Sequence, residues 1–330
     1  MYAASINSNM KENYLHTAVD VFYMNLFEYT YNLVRQIPDG KISTYGAVAR
    51  ALGDIRASRA VGRMMNQNPN ADDMPCFKIV YSDGKLGGFG LGIDDKIRRL
   101  KQDGISVKDG RIVDFEDVLF NDFKTDFPLK KLRMEQVELS KKVRIEDDFD
   151  EIETVAGFDI AYPKNDFDDC CGACVVMNYT TKEIIEEKTV FAKTFFPYIP
   201  TYLSFRELPF LKKLILSLES KPTILMIDGN GLMHPYGFGI ASHVGVSFDT
   251  PSIGVAKSML CGKLENNVVK MDNKKIGYAL FSSKRVRKPI YVSPGHKISF
   301  ETSLEVVRHL SVHKNPEPLR RAHILATTSI

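Results

Sequence analysis

TILMIDGNGLMHPYGFGIASHVG, residues 223 to 245, sets an apolar run of strand length against an aspartate and then a train of glycines. Residues 223–229 read as a strand, and Asp228 stands at its end. A carboxylate in apolar surroundings is costly unless it is hydrogen-bonded or paired. At a strand end beside glycines it is more often a ligand or a cap than a passenger. Working outward, residues 154–162 (TVAGFDIAY), 170–179 (CCGACVVMNY) and 252–257 (SIGVAK) also read as strands, alternating with helical stretches. That alternation predicts a mixed α/β domain.

Two more acidic residues share this character. Asp159 lies in VAGFDIAY with hydrophobes on both sides, and Glu207 follows PYIPTYLSFR at the start of an expected helix. Taken singly, each carboxylate could cap a helix or pair with a cation. Three together, on separate segments, suit an oxygen-ligand site for Mg²⁺, a hard cation that keeps several waters and is shared with substrate phosphates. A metal-assisted phosphodiester enzyme is one reading that the residues leave open.

The chain has 330 residues, more than one compact core usually spans, so two domains are expected. A net charge of +3 permits a nucleic-acid partner without arguing for one. Five cysteines, at 76, 170, 171, 174 and 261, are too few and too uneven for a disulfide framework. The CxxC at 171–174 lies on a strand without a second pair, so no zinc site is expected. His243, His296, His309 and His313 read as structural or surface residues. The N-terminal residues have no apolar core, and no run approaches the roughly 18 apolar residues of a membrane helix. A soluble, cytoplasmic protein with no membrane partner is expected.

EDVLFNDFKTDFP, residues 116–128, is acidic, aromatic and closed by a proline. It divides the chain into a first domain at 1–118, a linker at 119–127 and a second domain at 128–330. After it, apolar positions 129, 132, 134, 137, 139 and 143 approximate a helical stripe.

AGFDIAY, FPYIPTYLSFRE, DGNGLMHPYGFGIASHVG, IGVAKSMLCG, YVSPGHKIS and PEPLRRAHI follow one another in this chain. In that order they closely resemble endonuclease V over about residues 125–328. The resemblance implies an RNase H-like fold that nicks DNA at the second phosphodiester 3′ to a deaminated base. Hypoxanthine is the main lesion implied, uracil and xanthine are further ones, and RNA is left open as a substrate. It implies Mg²⁺, with Mn²⁺ as a substitute, on Asp159, Glu207 and Asp228, and places His323 near them. Lys257 would neutralise charge on the attacked phosphate. Tyr198, in the motif Pro197, Tyr198, Ile199 and Pro200, would fill the hole left by a flipped base. Gly229, Gly231, His234, Gly239 and Ile240 would line the base pocket. Where the family usually carries Gly after this motif, the chain has Thr201. No protein partner is implied.

Upstream, TYGAVARALGDIRASRAVGRMMNQNP (44–69) reads as two helices. Thr44 or Ser43 can cap the first, Gly53 opens the connection, Ser58 can cap the second and Pro69 ends it. Arg56, Arg59 and Arg63 cluster along the second, a placement that suits phosphate contacts or a solvated face. IPDGKISTYGAVARALG, SRAVGRMMNQNP, MPCFKIV and GKLGGFGLGIDDKIRRLKQDG resemble the DNA-binding half of the O6-alkylguanine-DNA alkyltransferases over about 22–113. The resemblance implies a small α(+β) winged-helix, helix-turn-helix domain. Arg59 would replace the flipped guanine, Tyr45 would help rotate the phosphate and Asn68 would brace the turn. Cys76 would accept the alkyl group from alkylated guanine.

The family writes PCHR, where the histidine relays the thiol proton; here Phe77 and Lys78 follow the cysteine. The relay's acid is Asp103 rather than Glu, and a proton-donating tyrosine is replaced by Phe89. Lys78, Lys96 or Arg59 could lower the thiol pKa instead. The expected protein is a bifunctional repair enzyme. The alternative is an endonuclease V fused to a non-catalytic sensor of alkylated DNA.

Overall fold

The computed structural model describes residues 24–68, 70, 73–163, 169–282 and 287–330. Pro69 and the N-terminal residues discussed above lie outside them. The chain forms two compact units. One comprises residues 24–134 with Phe195–Pro200, the other Glu135–Thr194 with Thr201–Ile330.

The first unit runs α1 (Leu26–Val34), β1 (Ser43–Thr44), α2 (Tyr45–Leu52), α3 (Ser58–Asn66), β2 (Ile79–Val80), α4 (Ile93–Gln102), β3 (Val107–Lys108), β4 (Arg111–Ile112) and α5 (Phe115–Val118). It is a helical domain with two short β pairs, β1–β2 and β3–β4. Thr44 Oγ1 accepts the Ala47 N–H at 3.0 Å and starts α2. Gly53 ends that helix at φ 104°, a conformation glycine reaches without a Cβ clash. Asp54 then accepts the Arg56 N–H and pairs with its guanidinium. Ser58 does not cap α3 as the sequence led us to expect. A 3₁₀ turn at Ile55–Ala57 runs straight into the helix, so Ala57 is the cap and the Ser58 hydroxyl donates to Ile55 O.

Helix α6 (Pro128–Ser140) follows the acidic, aromatic stretch. Its burial departs from the stripe read in the sequence. Met134 and Val137 are exposed, whereas Leu129, Leu132 and Gln136 are buried. Those three positions, at i, i+3 and i+7, share one helical face, which Met134 and Val137 do not. Gln136 is tolerated inside because its amide donates to Phe238 O at 2.7 Å.

The second unit is built on β5 (Thr154–Ala161), β6 (Cys170–Asn178), β7 (Ile184–Ala192), α7 (Leu203–Ser217), β8 (Ile224–Asp228), α8 (Ile240–Phe248), β9 (Ser252–Ala256), β10 (Lys263–Glu265), β11 (Val268–Met271), β12 (Lys274–Leu280), β13 (Ile290–His296), α9 (Phe300–Leu310) and α10 (Glu317–Thr328). One nine-stranded sheet has the order β10-β11-β12-β13-β9-β8-β5-β6-β7. Strands β5, β8 and β9 are parallel neighbours, while β5–β6 and β6–β7 are antiparallel. This is an RNase H-like core extended by the antiparallel β13 to β10. Alternation along the strands supplies two cores. Ala156, Phe158, Leu225 and Ile227 pack on one face with Leu211 and Val244. Val155, Ile224 and Met226 pack on the other with Val306, Leu310 and Leu319. No described helix is long and apolar enough to cross a membrane.

Two candidate active sites

Register brings two carboxylates together in the second unit. Strands β5 and β8 run parallel with Phe158 beside Ile227, so the next residues, Asp159 and Asp228, lie side by side. On β8's other flank Asp228 pairs with Val255, and Lys257 follows two residues later. Side chains two apart share a face, and Lys257 Nζ sits 2.7 Å from Asp228 Oδ2. Helix α10 brings His323, whose Nδ1 lies 2.6 Å from Asp159 Oδ2. It lies so close to β5 because residue 157 is glycine: a Cβ there would collide with the backbone of Pro318 and Leu319. Glu207, on α7, accepts the Tyr162 hydroxyl on Oε1 at 2.8 Å.

The electrostatics follow from crowding acids in a half-buried site. Burial raises the Asp159 carboxyl, the charge of Asp228 adds to it, and His323 and Lys257 oppose it. Burial pushes Glu207 up to about 8; the Tyr162 hydrogen bond restrains it, while the charges of Asp228 and Asp159 add to it. Burial opposes the charge of Lys257, but Asp228, Asp159 and Glu207 together hold its ammonium above the ordinary value. Among the described residues no three His, Cys, Asp or Glu side chains are gathered to hold a metal ion. Each of the three carboxylates is turned to its own partner. The donor chemistry nevertheless fits a hard divalent cation: all-oxygen ligands, two of them raised by burial and by their acidic neighbours.

The glycines after Asp228 are filled by the protein itself. At Gly231 a Cβ would strike Pro294 O, and at Gly239 it would strike Asn230 O. The loop is pinned by Gly231 N–H to Ser293 Oγ and Gly239 N–H to Gly231 O, both at 2.9 Å. Gly229 and Ile240 are buried here too, with Ile240 against the position a Gly229 Cβ would take. His234 Nδ1 accepts the Tyr236 N–H, which leaves Nε2–H to donate to Thr201 O at 3.2 Å. Thr201 itself has φ 72°. The family's glycine suits that left-handed backbone, and threonine is strained there. In the preceding motif Pro197 and Ile199 are buried, Pro200 is exposed, and Tyr198 is 56% exposed.

In the first unit Cys76 is buried in a 3₁₀ turn, Cys76–Lys78. Asn68 spans it: its Oδ1 accepts the Asn70 N–H and its Nδ2 donates to Cys76 Sγ at 3.3 Å. A cleft of about 590 Å³ lies in the same unit, lined among others by Tyr45, Arg59, Asn66, Tyr81 and Gly88. Tyr45 and Tyr81 stand with ring centroids 5.3 Å apart. Arg56 is held by Asp54, and Arg63 donates to Gln67.

Of the cations expected to activate the thiol, both lysines are engaged elsewhere. Lys78 is buried and bonds Asp103, Asp39 and Pro38 O at 3.0–3.2 Å. Lys96 is fully buried and donates to Ile79 O, Leu86 O and Gly88 O. Burial lowers its pKa to about 7. Burial also raises the Cys76 thiol to about 11, outweighing the Asn68 hydrogen bond and the charge of Lys96. Phe77 packs into the apolar core, and Phe89 is buried with the Arg99 guanidinium 5.7 Å from its ring. Sequence reading passed over Tyr81, Tyr162 and Arg206. For Tyr162 the signal was there, an aromatic hydroxyl three residues after Asp159.

The family profile described as Endonuclease V matches residues 137–324, and that of the 6-O-methylguanine DNA methyltransferase DNA-binding domain matches residues 25–105. A bifunctional methyltransferase/endonuclease of Picrophilus torridus is 41% identical over 300 residues, covering 91% of this chain and 95% of its own. The crystal structure of the human endonuclease V catalytic domain superposes with a TM-score of 0.59 at 29% identity, covering 62% of this chain and 97% of that one. An endonuclease V of Ciona intestinalis, solved with DNA containing an inosine followed by a ribo-adenosine, gives 0.58 at 30% identity over 62% and 98%.

Proposed function

Since this chain belongs to the endonuclease V family and, over 91% of its length, to its bifunctional methyltransferase/endonucleases, we propose that it repairs two classes of damaged base in DNA. The second unit nicks the strand at the second phosphodiester 3′ to hypoxanthine, with uracil and xanthine as further substrates and RNA as a test substrate. The observation that carries this is the strand register setting Asp159 beside Asp228 at the ends of β5 and β8. Endonuclease V enzymes are metal-dependent. Asp159, Asp228 and Glu207 would hold Mg²⁺, or Mn²⁺ in its place, which when bound supplies Lewis acidity and an activated water.

The chain's own groups do the rest. Lys257 Nζ, exposed and paired to Asp228, neutralises charge on the scissile phosphate. His323 orients Asp159 through Nδ1. Tyr198 offers an exposed ring for the gap left by the flipped base, at an unstacking cost of a few kcal/mol. Gly229, Gly231, His234, Gly239 and Ile240 form the rigid wall of the base pocket.

The first unit transfers an alkyl group from O6-alkylguanine to Cys76 Sγ. The S–C bond forms as the C–O bond breaks, and the electron pair stays on the guanine oxygen. Arg59 holds the duplex open, Tyr45 turns the phosphate and Asn68 braces the turn. At a thiol pKa of about 11, roughly one molecule in ten thousand carries the thiolate at pH 7, slow but sufficient for a single turnover. That same buried thiol favours the second reading, a sensor that binds alkylated DNA without transfer. Intact-protein mass spectrometry after incubation with O6-methylguanine DNA decides between them. A methyl mass gain absent from Cys76→Ala is expected; selective binding without mass gain establishes the sensor. For the nuclease, hypoxanthine DNA should be nicked by the wild type and left whole by Asp228→Ala. We assign the protein to the cytoplasm on its cysteine usage.

A further inference from the structure

Glu207 differs from the other two carboxylates. Asp159 and Asp228 project from rigid strands, whereas Glu207 projects from a helix on a side chain with three rotatable bonds. Something must fix its rotamer before it can join them. Tyr162, one residue beyond β5, places its hydroxyl 2.8 Å from Glu207 Oε1. The Arg206 guanidinium, itself buried, lies 4.2 Å over the Tyr162 ring. The ring is thus held on its face by one residue of α7 while its tip holds the next residue along. Among the described residues this hydrogen bond takes one of the carboxylate's roughly four lone-pair sites.

We propose that Tyr162, clamped under Arg206, is a positioning residue of the nuclease whose hydroxyl fixes Glu207 so that it can complete a divalent-cation site with Asp159 and Asp228. The proposal rests on the metal reading above and adds a residue to it. Ligating carboxylates are themselves held by hydrogen bonds, and loss of such a partner typically weakens metal binding about 10–100-fold.

The test titrates Mn²⁺ into the full-length protein and reads the free ion by electron paramagnetic resonance. Tyr162→Phe removes one oxygen and should weaken Mn²⁺ binding at least tenfold. Nicking at saturating metal should stay within about threefold, so that the metal half-saturation moves and kcat does not. Arg206→Lys keeps the hydroxyl, loosens the ring and should weaken binding less; it carries the test if Tyr162→Phe fails to fold. Glu207→Gln separates the two ideas. If it weakens Mn²⁺ binding while Tyr162→Phe binds like the wild type, the positioning role is overturned and the metal reading stands. If Glu207→Gln itself binds like the wild type, the metal reading falls and this proposal falls with it.

Discussion

Both units bury an acidic group, and they treat it differently. In the nuclease site burial raises Asp159 and Glu207, but Lys257 and His323 are brought directly against Asp228 and Asp159. In the alkyltransferase-like unit burial raises Cys76, and its two nearby lysines are engaged elsewhere, Lys78 by Asp103 and Lys96 by three carbonyls. The nuclease site keeps its charges paired; the first unit keeps Cys76 neutral. A lysine next to a cysteine in sequence is therefore no evidence of activation. What matters is where its ammonium finds acceptors.

The largest effects should separate the halves. Asp228→Ala is expected to lower nicking of hypoxanthine DNA by more than about 10³-fold and leave methyl transfer unchanged; Cys76→Ala should do the reverse. If either substitution silences both activities, the two sites are coupled and the comparison must be redrawn. Lys78→Met comes next. It leaves Asp103 as a nearly buried charge without its partner, and denaturant unfolding should show a loss of about 3–5 kcal/mol. Transfer by the protein that remains folded should not slow. A slower transfer at unchanged stability would make Lys78 an activator after all.

The pH profiles sharpen the contrast. Below a thiol pKa of about 11, transfer should accelerate about tenfold per unit between pH 7 and 10 as thiolate forms. Metal binding has another course. Below pH 8 a proton on Glu207 competes with the cation, so Mn²⁺ affinity should rise from pH 6.5 to 8.5 and then level off. Isothermal titration in two buffers would show the released proton. A transfer rate that is flat with pH would mean that Cys76 is already a thiolate at pH 7, against the effect of its burial.

The smallest expected effect lies at Thr201. Left-handed backbone costs a non-glycine residue roughly 1–2 kcal/mol, and glycine's extra freedom in the unfolded chain takes back about half. Thr201→Gly should therefore raise stability by at most about 1 kcal/mol, seen as a shift of about 2–4 °C in melting temperature. A loss of stability would show that the threonine side chain has packing that outweighs its strain.

Much of the architecture was legible in the chain. Strands β5, β6, β8 and β9 fall within a residue or two of their sequence reading, because buried strands carry continuous apolar runs bounded by glycine and proline. The edge strands β7 and β10, and β11 to β13 between β10 and β9, were not read. β7 mixes exposed isoleucines with lysine and glutamate along one edge of the sheet, and its pattern follows pairing rather than burial. The stripe on α6 misled because several apolar residues permit more than one helical face, and only the neighbours choose between them.

Sequence alone determined which residues are candidates for the chemistry. Asp159, Asp228, Glu207, Lys257, His323 and Cys76 stand in motifs whose spelling is local. It also determined the order of the two units. Tertiary structure decided what those residues face. It put Asp228 against Lys257, gave Glu207 to Tyr162, turned Lys78 toward Asp103 and left Cys76 protonated. The reason is physical: the charge state of a buried group depends on atoms within a few ångströms, and those atoms come from segments tens to hundreds of residues away.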